Sequence, residues 1–180
     1  MPRYVALLRA INVGGHVVKM DVLRRHFETL GFSDVSTFIA SGNVLFTART
    51  GAAAALEKRI ARVLLDDLGY PVETFLRSPA EMAEAARFAP FDDLAESDAL
   101  SVGFLAHAPT AAERRAILAF AGATDDFAIN ARELYWRSRV GIGKSMFTVA
   151  RFGKAVGMQV TFRNVTTVRK LAALLAPGGG

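Results

Sequence analysis

The chain has 180 residues, 52% of them hydrophobic, and a formal net charge of +5, enough to bury a substantial core as one domain or two tightly joined subdomains. It contains no cysteine, which excludes a disulfide framework, a thiol nucleophile and any Cys-based zinc or iron–sulfur site, and fits a reducing cytoplasm. No apolar run approaches the roughly 20 residues of a membrane span, and Met1-Pro2-Arg3 lacks the layout of a signal peptide, so the expectation is a soluble cytoplasmic protein with no membrane partner.

In chain order, Tyr4 to Arg9 reads as a buried strand, followed by a loop holding Gly14 and Gly15. A helix follows, with Leu23, Phe27 and Leu30 at i, i+4 and i+7 and Gly31 as its stop. Val35 to Ala40 and Asn43 to Ala48 read as strands paired around the turn-forming Ser41-Gly42. Leu56, Ile60, Val63 and Leu64 define the next amphipathic helix, which Gly69 ends. Pro71 to Arg77 reads as a fourth strand, near a sheet edge because of its proline. Ser78-Pro79-Ala80-Glu81 then opens a helix with a cap, a proline at its first position and a capping-box glutamate.

Phe91 to Asp98 carries four acids and no base and reads as a connecting loop. After it the order repeats. Leu100 to Ala106 is a strand, Thr110-Ala111-Ala112-Glu113 opens a helix, and Phe127 to Asn130 with Leu134 to Arg137 form a hairpin. Ser145 to Val156 is predicted as a helix stopped at Gly157 and Gln159 to Phe162 as a strand. Asn164 caps a final helix before Pro177 and three glycines, a frayed tail. The fold class is therefore α+β: two ferredoxin-like βαββαβ subdomains from an internal duplication, residues 1–97 and 98–180, each with one extra helix.

Charge is asymmetric along this repeat. Residues 1–97 hold 11 Lys/Arg and 12 Asp/Glu, whereas residues 98–180 hold 11 and 5. No acid follows Glu133, while Arg137, Arg139, Lys144, Arg151, Lys154, Arg163, Arg169 and Lys170 do. Such a segment attracts phosphate-bearing partners unless its cations pair with first-half acids. Strand alternation puts Leu134 with Trp136 on one face and Tyr135 with Arg137 on the other. Tyr135, Arg137 and Arg139 are thus the candidate platform for stacked bases, and Trp136 is a core residue.

Two loops carry further candidates. Gly141-Ile142-Gly143-Lys144-Ser145 lacks the leading glycine of a phosphate-binding loop, since Ser138 stands there; what remains is an anion site at Lys144 before a helix capped by Ser145. The Asn12 to Lys19 loop combines two glycines with Asn12, His16 and Lys19, and Ser41 and Asn43 in the first hairpin turn would face it. The three histidines have no metal-ligand spacing, so neither metal nor cofactor is expected.

Arg9-Ala10-Ile11-Asn12-Val13-Gly14-Gly15, Met20 to Gly31, Ser41-Gly42-Asn43 and the closing Arg163-Asn164, Thr167-Val168 and Lys170-Leu171 resemble the bacterial domain-of-unknown-function family numbered 1697. The resemblance implies two interlocked ferredoxin-like subdomains and no established activity. The chain departs from the family pattern at Val165, where tryptophan is common, and at Met146, where lysine is common. Three readings stay open: a nucleic-acid or polyanion binder using Arg137, Arg139, Lys144, Arg163 and Lys170; an enzyme or sensor for a small phosphorylated ligand where Asn12, Gly14, Gly15 and Lys19 approach Arg163 and Asn164; and a structural or protein-interaction domain.

Overall fold

A computed structural model describes every residue of the chain except 13, 41, 50 and 178–180. Among the described residues it is an α+β protein with two four-stranded antiparallel sheets and six α-helices. Two compact units divide the chain, Met1–Ala83 together with the stretch from Leu171 onward, and Glu84–Lys170.

The first unit contains β1 (Arg3–Leu8), α1 (Met20–Thr29), β2 (Ser33–Thr37), β3 (Asn43–Thr47), α2 (Ala53–Leu68) and β4 (Thr74–Arg77), with sheet order β2-β3-β1-β4. Val5, Ala6 and Leu7 have no exposed surface, which is why β1 reads as a continuous apolar run rather than an alternating one. Leu23 and Phe27 of α1 and Leu56, Ile60 and Leu64 of α2 pack with Ala6, Leu8, Val44 and Phe46 in one core. Gly69 closes α2 at φ +78, its N–H donating to the Leu65 carbonyl at 2.9 Å, a left-handed helix end that glycine adopts without steric cost.

Two of the boundaries that differ from the pattern-based ones have a local cause. β2 ends at Thr37 instead of Ala40, because the chain already turns there: Phe38 N–H donates to the Asn43 carbonyl at 3.0 Å and Ile39 takes φ +52. β4 starts at Thr74 rather than Pro71, since proline has no N–H for a ladder.

The second unit contains β5 (Ala99–Leu105), α4 (Ala111–Leu118), β6 (Asp125–Asn130), β7 (Glu133–Ser138), a 3-10 turn at Ile142–Lys144, α5 (Val149–Val156) and β8 (Val160–Asn164). Its sheet order, β6-β7-β5-β8, repeats that of the first. Ile117 of α4 and Phe152 of α5 pack with Leu105, Leu134, Trp136 and Val160. Gly103 is opposite Phe162 in the β5–β8 ladder; a Cβ there would stand 2.6 Å from the Phe162 ring and 2.8 Å from Val160. The remaining helices are α3 (Pro79–Arg87) and α6 (Val165–Leu175). Both predicted capping boxes form, Ser78 with Glu81 and Thr110 with Glu113. Among the described residues no helix is long and apolar enough to cross a membrane.

Candidate anion-binding surface

β7 carries the strongest correction to the sequence reading. Alternation holds, with Leu134 and Trp136 in the core of the second unit. The opposite face, however, is not open. Tyr135 is 1% exposed, donates its hydroxyl to the Ala85 carbonyl at 3.2 Å and lies against the Phe88 ring. Burial pushes its phenol well above the ordinary tyrosine range. Arg137 is 4% exposed and reaches Asp93 at 2.6 Å and Asp126 at 2.5 Å, with its guanidinium 4.9 Å from the Phe91 ring centre. Hydrogen bonding to Arg137 holds the Asp93 carboxyl below its usual range. Arg139 shares Asp126 at 2.7 Å. Arg137 therefore pins the acidic 91–98 loop while Tyr135 is tied to Ala85 and Phe88, and both are unavailable to stack on bases.

The Gly-rich turn is corrected too. Ser145 opens no helix: α5 begins at Val149, capped by the Thr148 hydroxyl, which accepts from Arg151 N–H at 3.2 Å. Ser145 instead donates to Asp125 at 2.8 Å and accepts from Phe147 N–H at 2.9 Å. The Lys144 N–H closes the 3-10 turn on Gly141, so its amide is engaged, although its side chain is exposed. Asp125 is 4% exposed. Burial alone would raise its carboxyl, but hydrogen bonds from Thr124, Trp136 and Ser145 outweigh that and lower it.

Cations remain where the two helices lie side by side. Residues 99–170 hold four acids, Glu113, Asp125, Asp126 and Glu133, and each is buried or engaged. Glu113 closes the α4 capping box and meets His107 at 3.1 Å, Asp126 holds the two arginines, and Glu133 is 6% exposed. Arg114 and Arg115 on α4, Lys144, and Arg151 and Lys154 on α5 are exposed and in no ion pair among the described residues. α4 packs beside α5, so this helical layer, rather than the hairpin, presents positive charge. Arg114 and Arg115 precede the acid-free stretch, and their place just inside a capped helix, between Glu113 and Ala116, was the available signal.

Arg163 is 8% exposed, donates to Thr161 Oγ1 and the Phe162 carbonyl at 2.8 Å, and has its guanidinium pKa lowered by burial to about 10. It remains charged at neutral pH but offers little surface to a ligand. Asn164 caps α6 as expected, accepting from Thr167 N–H at 2.7 Å, and Lys170 is exposed on that helix.

In the first unit the Asn12 to Lys19 loop is braced. The Asn12 side chain accepts from Val18 N–H at 2.5 Å and donates to the Ala40 carbonyl at 3.0 Å, tying the loop to the first hairpin turn. Asn43 is fully buried and donates to the Phe38 carbonyl, so it closes the turn instead of facing a ligand. Ser41 lies outside the described residues, as do Val13 and the three terminal glycines. Gly14, Gly15 and Lys19 are exposed, and the exposed His16 ring stacks on Tyr70 at 3.8 Å. Arg9 meets Glu73 at 2.6 Å. The loop belongs to the first unit and Arg163 and Asn164 to the second. Among the described residues no group of three or more His, Asp or Glu is placed to hold a metal ion.

The family model described as a protein of unknown function, DUF1697, matches residues 1–135. A conserved bacterial protein of Streptococcus pneumoniae, SP0830, has a similar fold, with a TM-score of 0.67 and 22% identity over 97% of this chain and 99% of that one. No curated protein matches the chain.

Proposed function

Starting from a chain that belongs to the DUF1697 family of unknown function, we propose a module that binds single-stranded nucleic acid on the α4–α5 face of its second unit. The observation carrying this reading is the imbalance of available charge. Every acid of residues 99–170 is buried or engaged, while Arg114, Arg115, Lys144, Arg151 and Lys154 are exposed and without ion pairs among the described residues. Phosphate oxygens are the partners that unpaired, clustered cations attract most strongly. The face, not the β7 hairpin, is the platform.

The accompanying fold reading is a duplicated ferredoxin-like body with copies 1–97 and 98–180; supporting it are the βαββαβ element order in both parts and the matching strand orders. Its cysteine-free composition supports a cytoplasmic setting. The test is fluorescence anisotropy of a labelled single-stranded RNA. Arg115→Glu combined with Lys154→Glu weakens binding at least tenfold, while circular dichroism stays unchanged; undiminished affinity in that variant removes the face from consideration.

A second reading, a small phosphorylated ligand on the Asn12 to Lys19 loop, draws on the exposed Gly14, Gly15, His16 and Lys19 held by a braced backbone. A thermal shift with inorganic phosphate that Lys19→Glu abolishes would support it.

A further inference from the structure

Between the end of α4 and the start of α5 the second unit has a cleft of about 290 Å³, walled by Phe120, Phe147 and Met146 and bordered by Thr124, Asp125 and Arg151. We propose that this cleft takes one unstacked base of the bound strand, with the adjoining phosphate on Arg151. The inference rests on the nucleic-acid reading above, and supplies what that reading lacked once Tyr135 proved buried: aromatic surface beside cations.

The walls, the rim and the location carry it. Phe120, partly exposed, meets the buried Phe147 edge to face with ring centres 5.2 Å apart, so Phe120 is the ring that offers a base its surface, held in place by the core behind it. Met146 is 75% exposed, a polarizable side chain at the rim. Arg151 uses one N–H on the Met146 carbonyl at 2.7 Å, and its planar fork holds further donors for a phosphate. The volume lies at the lower end of ligand clefts, roughly 300 Å³ upward, which suits one base rather than a large cofactor. The cleft is lined by the segment that follows α4 and the one that leads into α5, the two helices that carry Arg114, Arg115 and Lys154.

The chain holds a single tryptophan, and it reports on this place. Trp136 donates its indole N–H to Asp125 at 2.7 Å, and its ring centre is 4.7 Å from that of Phe147. A base in the cleft changes its emission.

The experiment titrates the full chain with a labelled five-nucleotide oligoadenylate, an abasic strand of equal length, and adenosine monophosphate, reading anisotropy and Trp136 emission together. Expected is an emission change with the base-bearing strand alone of the two, and affinity roughly tenfold above the abasic one, in line with stacking of one base. Ala123→Phe, at an exposed cleft position, abolishes both differences and leaves abasic binding unchanged. Equal binding of both strands with silent tryptophan overturns the cleft while the basic face stands. Failure of both strands to bind overturns the nucleic-acid reading; an emission change with adenosine monophosphate alone would then replace the strand by a mononucleotide.

Discussion

Arg137 reaches Asp93 and Asp126 from a buried position, with Asp98 at 3.9 Å, and so ties β7 and β6 to the loop that precedes β5. Its neighbour Tyr135 shows the same structural use. Tyr135→Phe removes one buried hydrogen bond and costs about 1 kcal/mol of stability, measured by urea denaturation, while RNA affinity is unchanged; a large affinity loss would return the hairpin to the binding surface. Asp125 contributes to the acid stability of the second unit. Its folded pKa is lowered, so its contribution is present above the unfolded value of about 3.9 and is lost as pH falls through the folded one. Asp93, lowered by Arg137, acts in the same direction. Trp136 emission followed from neutral pH downward should therefore show unfolding begin below about pH 4, and Asp125→Asn should be less stable at neutral pH with a flatter acid profile.

At the scale of elements, periodicity was readable wherever burial dictates it. The i, i+4, i+7 pattern of α1, the stops at Gly69 and Gly157 and both capping boxes are present. Failures came where a side chain's partner is far along the chain. Ser145 looks like a helix cap by its neighbours, yet its hydroxyl goes to Asp125, 20 positions away, and the cap falls to Thr148. Alternation assigned Tyr135 and Arg137 to one face, and nothing local said that Ala85 and Asp93 would cover it. Thr148→Ala should cost about 1 kcal/mol as a lost N-cap, measured by thermal or urea unfolding. Gly103→Val should destabilise by about 1–3 kcal/mol or more, because its Cβ would meet Phe162 and Val160 inside 3 Å; wild-type stability in that variant would contradict the β5–β8 register.

Across the whole molecule, the α+β class and the element order were legible because two successive stretches repeat one pattern of strands and helices. The candidate site was legible only as a charge bias. Eleven cations against five acids in residues 98–180 announced a basic half, but which cations reach solvent depends on who pairs with whom, and that is decided by packing. Arg137 and Arg163 went inside; Arg114, Arg115, Lys144 and Lys154 stayed out. The measurement that tests this account most directly is the salt dependence of single-stranded RNA binding, comparing the natural chain with Arg114→Glu, Arg115→Glu and Lys154→Glu combined. The account predicts a logarithm of affinity that falls linearly with the logarithm of salt concentration, with a slope shallower by roughly 2 in the variant, about 0.7 for each phosphate contact removed. No binding by the natural chain at low salt, or an identical slope in the variant, would contradict it.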